Sequence, residues 1–385
     1  MEKKSHQSTT ITTMNKIKKI GAIFALFLTI SAPVPTHAQD TEMEDLDPSE
    51  MQFIIPPETY DTAIVEEVTD NGEAQDVRLR INSGEEKGKF INVQHGQFFS
   101  ITEEQKVSKG ETVIISKGTS GDLVQYMIQD HYRTPGVLLI LLFFIATVLI
   151  FGRKKGFMSL VGLSLTIIVL IFFIIPAQVA GANPFVVSII GAFFIALLSL
   201  YLSHGFQRRT TIALIATLIT LIISAILAIV FVELTKLSGG GNEDTFFLQF
   251  GELGHINIKG LLLGGIIIGA LGVLDDITTA QSAAVEEIHK ADKKLSQKEL
   301  FQRGISVGNE HIASLVNTLV LAYAGASFPL LLFFSVEGLV PLWVTLNKQY
   351  MVEEIVRTLV GSTALIFAVP ITTWLAAWSF TRKRS

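Results

Sequence analysis

The chain has 385 residues, 49% hydrophobic and only 17% charged, with no cysteine and a mean hydropathy of +0.48. A soluble protein carries about 25% charge, so this composition excludes an ordinary soluble enzyme. The missing cysteines exclude disulfides and Cys-ligated metal centres. The net charge of −5 is unevenly spread. Between Gln39 and Arg133 lie 20 acidic and 8 basic residues, and from Thr134 to the C-terminus 14 acidic and 17 basic. An acidic, water-compatible segment therefore precedes a long apolar one, the layout of a membrane protein.

Lys16, Lys18 and Lys19 precede the 13-residue apolar run Ile20–Ala32. That is too short for a span and the right length for the core of an export signal. The expectation is a signal peptide over 1–38, cleaved after Thr36-His37-Ala38, or else an uncleaved anchor; Met14 is an alternative start. Residues 39–57 are acidic and hold three prolines, which reads as a linker.

Over 58–130 the pattern changes to short alternating runs: Tyr60–Thr69, Val77–Ile81, Lys89–Val93, Thr112–Ser116 and Leu123–Ile128. Asp70-Asn71-Gly72, Asn82-Ser83-Gly84, Lys109-Gly110 and Gly118–Gly121 separate them as turns. This predicts a compact extracytoplasmic all-β domain, an OB-like or SH3-like barrel. His95 and His131 read as isolated, solvated surface groups.

Seven apolar stretches follow in 134–385: Pro135–Phe151, Phe157–Ile175, Pro184–Leu202, Thr211–Val232, Gly260–Leu274, Ile312–Ser335 and Ile355–Ser379. Basic clusters follow the first, third, fifth and seventh: Arg153-Lys154-Lys155, Arg208-Arg209, Lys290 to Arg303, and Arg382-Lys383-Arg384. The intervening connections hold only Lys236, Lys259 and Lys348. The positive-inside rule then predicts seven spans with the β domain outside and the C-terminus in the cytoplasm. The stretch Asp275–Glu310 reads as the longest inner connection, with Ala283–His289 helical and Ser296-Gln297-Lys298-Glu299 a capping box that opens a helix into the sixth span. The connection Glu233–Lys259 holds Gly239-Gly240-Gly241 and Phe246-Phe247-Leu248 and has room for an interfacial helix.

The fifth and sixth spans hold the informative residues. Gly260/Gly264 and Gly265/Gly269 are spaced for close helix approach. The fifth span is short for a bilayer unless its helix continues through Asp275 and Asp276, placing both at the inner membrane edge. Adjacent aspartates face different ways, so one points into the bundle. Thr278, Thr279 and Gln281 follow. Glu310, Ser314 and Asn317 share one helix face behind His311, and Thr372-Thr373 after Pro370 belong at a similar depth. Carboxylates, amides and hydroxyls at one level suit a hard cation, a proton or a polar solute; the bland alternative is helix termination and interhelical glue.

Glu286-Glu287-Ile288-His289 reads as a solvated helix face, and Glu353 is spaced to pair with Arg357 one turn on. No Gly-Lys-Ser/Thr phosphate loop occurs. No cofactor, resident metal or nucleic-acid partner is expected, and no enzymatic activity.

These residues resemble the YibE/F-like family of multi-pass bacterial membrane proteins. The resemblance is carried by Gly269–Asp276 with Thr279 and Gln281, by His311–Ser327 with Asn317 and Tyr323, and by Glu354–Ser362 with Pro370–Thr373. It runs from about Arg133 to the C-terminus, and Asn309-Glu310 stands where that family usually has Arg-Asp. The resemblance implies a polytopic membrane protein and brings no activity with it. The leading expectation is transport of a small solute or ion through a site near Asp275, Asp276, Thr279, Gln281, Glu310, His311, Asn317 and Thr373. The alternative is a non-transporting scaffold or accessory subunit whose outer β domain recognises a protein partner. The lipid bilayer is the one partner common to both, and neither specifies an oligomeric state.

Overall fold

The computed structural model describes residues 59–382, apart from 73, 98–99, 121–122, 242–244, 246–247, 250–252, 327 and 329–340. The expected signal peptide and linker, the Phe246-Phe247 pair and the end of the sixth apolar stretch lie outside the described residues. The chain divides into two compact units, with the change at Thr147 to Val148.

The first unit contains an antiparallel sheet of β1 (Thr59–Asp70), β2 (Gln75–Ile81), β3 (Phe90–His95), β4 (Thr112–Ser120) and β5 (Leu123–His131). The strand order is β3-β2-β1-β4-β5. Alternation puts Ala63, Val65, Val77, Leu79, Ile81, Val113 and Ile115 on one buried face. Each buried Val, Leu or Ile stabilises the module by about 1.5–3 kcal/mol before chain entropy is counted. A bulge between Val65 and Glu67 bends β1, as bulges do. The sheet curls into a half-barrel whose outer strands, β3 and β5, line one cleft of about 220 Å³. Gly84 has φ +72, and a Cβ there would overlap the Asp61 carboxylate, so only glycine fits this turn.

The two histidines expected to be solvated are engaged instead. His131 pairs with the Glu111 carboxylate and also contacts the Glu104 carbonyl at 3.2 Å, while His95 Nε2 lies 3.0 Å from the Gln105 carbonyl. The loop bearing Glu104 and Gln105, a 3-10 turn over Glu103–Gln105, is what reaches them.

Helices follow: α1 (Thr134–Val169), a π turn (Leu170–Ile174), α2 (Ile175–Val179), α3 (Pro184–His204), α4 (Arg208–Leu234), α5 (Ile258–Ala291), α6 (Gln297–Ala326), α7 (Leu342–Leu346) and α8 (Gln349–Thr381). Among the described residues five helical runs are long and apolar enough to cross a membrane: Thr134–Val179, Pro184–His204, Arg208–Leu234, Ile258–Ala291 and Gln349–Thr381. The seven expected stretches are thus not seven such helices. The first two share one run, but that run breaks at Arg153, where φ is 49° and ψ −131°. The ideal Cβ position of Gly156 lies 2.3 Å from the Val148 carbonyl. Eight residues of straight helix would separate them by about 12 Å, so the chain folds back there. The sixth stretch begins in α6, whose opening turns carry Lys298, Glu299 and Arg303, and the rest of that stretch lies outside the described residues. The π turn precedes Pro176, which has no N–H to continue the α ladder.

The span-length question is resolved by α5, which runs unbroken through both aspartates to Ala291. Asn257 caps it, accepting from the Gly260 N–H at 2.8 Å. The long inner connection expected over Asp275–Glu310 is therefore mostly helix, reduced to Asp292–Ser296 between α5 and α6. The Ser296/Glu299 capping box is present at 2.9 and 3.3 Å. The fold also corrects the expected i, i+4 pair at the start of α8. Glu353 is buried and accepts from Gln349 at 3.0 Å, and Arg357 pairs with Glu354 at 3.3 Å. Glu353 is taken up by Gln349, which leaves Glu354 to pair with Arg357.

One charged cluster of the β module has a pH signature. The Tyr126 hydroxyl, Lys89 and Lys117 all converge on Glu86, holding its carboxyl down to about 2. The folded value lies below the unfolded one near 4.5. This contribution is therefore complete above about pH 4.5 and fades as pH falls toward about 2. Acid titration of amide hydrogen-exchange protection over Thr59–His131 is expected to show this loss in wild type and a flatter profile in Glu86→Gln; identical profiles would contradict the assignment.

Candidate functional site

In the second unit α5 packs against α3, α4, α6 and α8. Its glycines make this possible, each toward a different neighbour. A Cβ at Gly264 would lie 2.4 Å from Ser188 Oγ of α3, one at Gly265 3.2 Å from the Arg357 guanidinium of α8, and one at Gly269 3.6 Å from the Tyr323 hydroxyl of α6. The close packing expected from glycine spacing is real, and it is shared among three helices.

Two polar levels occur along α5. At the first, Asp275 Oδ2 accepts from Ser199 Oγ of α3 at 3.1 Å, while Asp275 Oδ1 is buried with no hydrogen-bond partner. Thr278 Oγ1 meets Thr217 Oγ1 of α4 at 2.7 Å, both side chains fully buried. Thr279 Oγ1, one turn from Asp275, is buried without a partner. Asp276 is exposed on the other side of the helix, where it interacts electrostatically with His204 of α3. The expectation that only one aspartate points inward therefore holds, and it is Asp275.

The second level lies about one and a half turns further along α5. Gln281 is fully buried, and its Nε2 donates to the Gly304 carbonyl of α6 at 2.8 Å and to Thr373 Oγ1 of α8 at 2.7 Å. Thr373 in turn donates to the Val369 carbonyl at 2.7 Å. Gly304 and Gly308 clear the space; a Cβ on Gly308 would lie 2.3 Å from Val369 Cγ1. Three helices converge here as expected, but α6 contributes a backbone carbonyl and two absent side chains rather than Asn317.

The remaining expected residues are placed apart. Glu310 and Asn317 are exposed on α6, and His311 is half-buried with Nδ1 lacking a partner. Among the described residues no hydrogen bond ties these three to Asp275. Glu310 and Asn317 lie on the face turned away from α5 and α8, whose packing uses Leu300, Gly304 and Gly308, whereas His311 falls beside that packed face. Sequence reasoning missed Ser199, His204 and Thr217. Ser199 and His204 lie in an ordinary apolar run, and no spacing in it marks them. Among the described residues no group of three or more His, Cys, Asp or Glu could hold a metal ion. Glu286 is bridged to Arg209 at 3.4 Å and Lys290 at 3.3 Å, and His289 stacks on Phe380.

Long apolar helices packed through glycines around buried hydroxyl, amide and carboxyl groups define a polytopic α-helical protein of the membrane type, here preceded by a β half-barrel. The chain belongs to the YibE/F-like protein family, whose model matches residues 139–382. No curated protein and no solved structure matches the chain.

The Gly308 contact is testable. Gly308→Ala should lower the stability of the detergent-solubilised protein by about 1–3 kcal/mol through overpacking. Adding Val369→Ala, which removes the clashing methyl, should recover part of that loss in a thermal melt. A wild-type melt for Gly308→Ala would show that α6 and α8 do not approach this closely.

Proposed function

We propose that the chain crosses the membrane seven times, with the β module outside and the C-terminus in the cytoplasm, and moves a small solute or ion through the Asp275 level. The observation that carries this reading is Asp275 itself. Its Oδ1 is buried without a partner, one turn before a partnerless Thr279 hydroxyl, and among the described residues it is the one carboxylate oxygen left so; the other such atoms, Gln281 Oε1 among them, belong to neutral groups. Glue between helices needs no unmatched carboxylate oxygen; a site that binds and releases a polar species does. Asp276, the next residue, is an exposed second carboxylate near this level. Gln281 and Thr373 serve as the packed floor, and Glu310 and Asn317, exposed on the far face of α6, take no part in this site.

Seven crossings are supported by the reversal at Arg153, which divides the first run, and by the apolar continuation of α6 toward Ser335. The charge asymmetry of the connections supports the orientation. For the β module the OB-like alternative is favoured over the SH3-like one, because the order β3-β2-β1-β4-β5 brings β3 and β5 together at the seam of a partly open five-stranded barrel. The same cleft favours a second reading, in which the chain is an accessory subunit and this module recognises a protein partner. Neither reading gives the chain a catalytic role.

Reconstituted protein separates the two. Melting across a panel of monovalent and divalent cations and pH is expected to show one stabilising species; a ligand at 100 times its dissociation constant adds about 2.7 kcal/mol. Asp275→Asn should abolish that stabilisation and the matching liposome flux, and Asp276→Asn should weaken them less. A folded Asp275→Asn protein that behaves as wild type in both assays would remove the transport site and leave the accessory reading.

A further inference from the structure

On α8, Pro370, Trp374, Trp378 and Arg382 follow one another at four-residue intervals, one ridge of the helix. Trp374 and Trp378 are 53% and 42% exposed, with stacked rings 6.4 Å apart. Beside Trp374 lies an apolar groove of about 440 Å³, closed by Ile219 of α4 and Phe301 of α6 and floored by Pro370 and Ile371. At the other end of the ridge the Arg382 guanidinium lies over the Trp378 ring at 5.0 Å. Arg208 of α4 reaches the same end of α8, over the Phe380 ring at 5.7 Å, donating Nε to Ser379 Oγ at 2.9 Å and a second N–H to the Ser379 carbonyl. Neither guanidinium has a carboxylate within ion-pair distance among the described residues, although the neighbouring Arg209 has Glu286.

Arg382 lies about 12 Å along the axis from Trp374 and about 18 Å from Pro370. Half the hydrocarbon core of a bilayer is about 15 Å. The ridge therefore runs from headgroup level to the middle of the membrane, cationic and aromatic at one end and apolar at the other. A soluble anion would use only the arginines, and a neutral lipid only the groove.

We propose that this face is a binding site for an anionic phospholipid of the cytoplasmic leaflet. Its phosphate sits between Arg382 and Arg208, and one acyl chain lies along Trp378 and Trp374 into the groove above Pro370. The arginines without counterions supply the charge complementarity, and basic pockets between helices on the cytoplasmic side are suited to such headgroups. The site is distinct from the Asp275 level and does not depend on transport.

Tryptophan quenching by brominated lipid tests it in the full chain. The sequence has three tryptophans, so Trp343→Phe leaves the Trp374–Trp378 pair as reporter. In nanodiscs of phosphatidylcholine, dibromo-acyl phosphatidylglycerol should quench at several-fold lower mole fraction than dibromo-acyl phosphatidylcholine. Arg382→Gln should shrink that preference about fivefold, the value of one surface arginine near an anionic lipid. Excess inorganic phosphate should not relieve the quenching. Equal quenching by the two lipids would overturn the proposal, as would a preference unchanged in both Arg382→Gln and Arg208→Gln. Relief by inorganic phosphate would assign the arginines to a soluble anion and overturn it as well.

Discussion

The helical unit depends on one buried amide. Gln281 extends from α5 and donates to α6 and α8 at once, through the Gly304 carbonyl and Thr373 Oγ1. Apolar surface gains little from leaving lipid for protein, so helices in a bilayer are held by close packing and by polar groups that must find partners. A fully buried glutamine is therefore a constraint on register: sliding α6 would cost it the Gly304 carbonyl, and sliding α8 would cost it Thr373 Oγ1. Gly308 follows from the same demand, since a Cβ there would crowd the Gln281 amide, while a Cβ at Gly304 would crowd Thr373 and Val285.

With that level held, the Asp275 level is free to be different. Thr217 and Thr278 satisfy each other, and Ser199 donates to one carboxyl oxygen, but the other oxygen is left over. The contrast lies within a single helix, in which Gln281 is anchored to two neighbours and Asp275 to one. Rigidity around an under-satisfied group is the arrangement a binding site needs, because the scaffold keeps the group from finding a partner of its own.

The β module follows the ordinary physics of a water-soluble sheet. Its stability rests on an alternating apolar face and on charge pairs at the rim, such as Glu86 with Lys89 and Lys117. The two units thus use different solutions, an alternating apolar face in one and close helix packing with a few interhelical hydrogen bonds in the other.

Much of this was legible in the sequence. Period-two alternation and turn residues located all five strands, because alternation is set by which side chains face the core. Hydropathy located the apolar stretches, and the Ser296–Glu299 box marked the start of α6, because such signals are local. The family too was legible, in stretches that the matched region 139–382 encloses. The sequence also identified Asp275, Gln281 and Thr373 as unusual, since polar groups in apolar runs stand out by cost alone. It did not say which would meet. Glu310 and Asn317 seemed equal members of that set, yet the glycine face of α6 turns inward and carries them to the outside. Ser199 and His204 carried no signal, because a hydroxyl or imidazole near a helix end is unremarkable until another helix brings a carboxylate beside it. Composition and periodicity determined the elements and the kind of solvent they require; only packing decided which polar atoms were satisfied and which were left open, since that depends on distances between residues far apart in the chain.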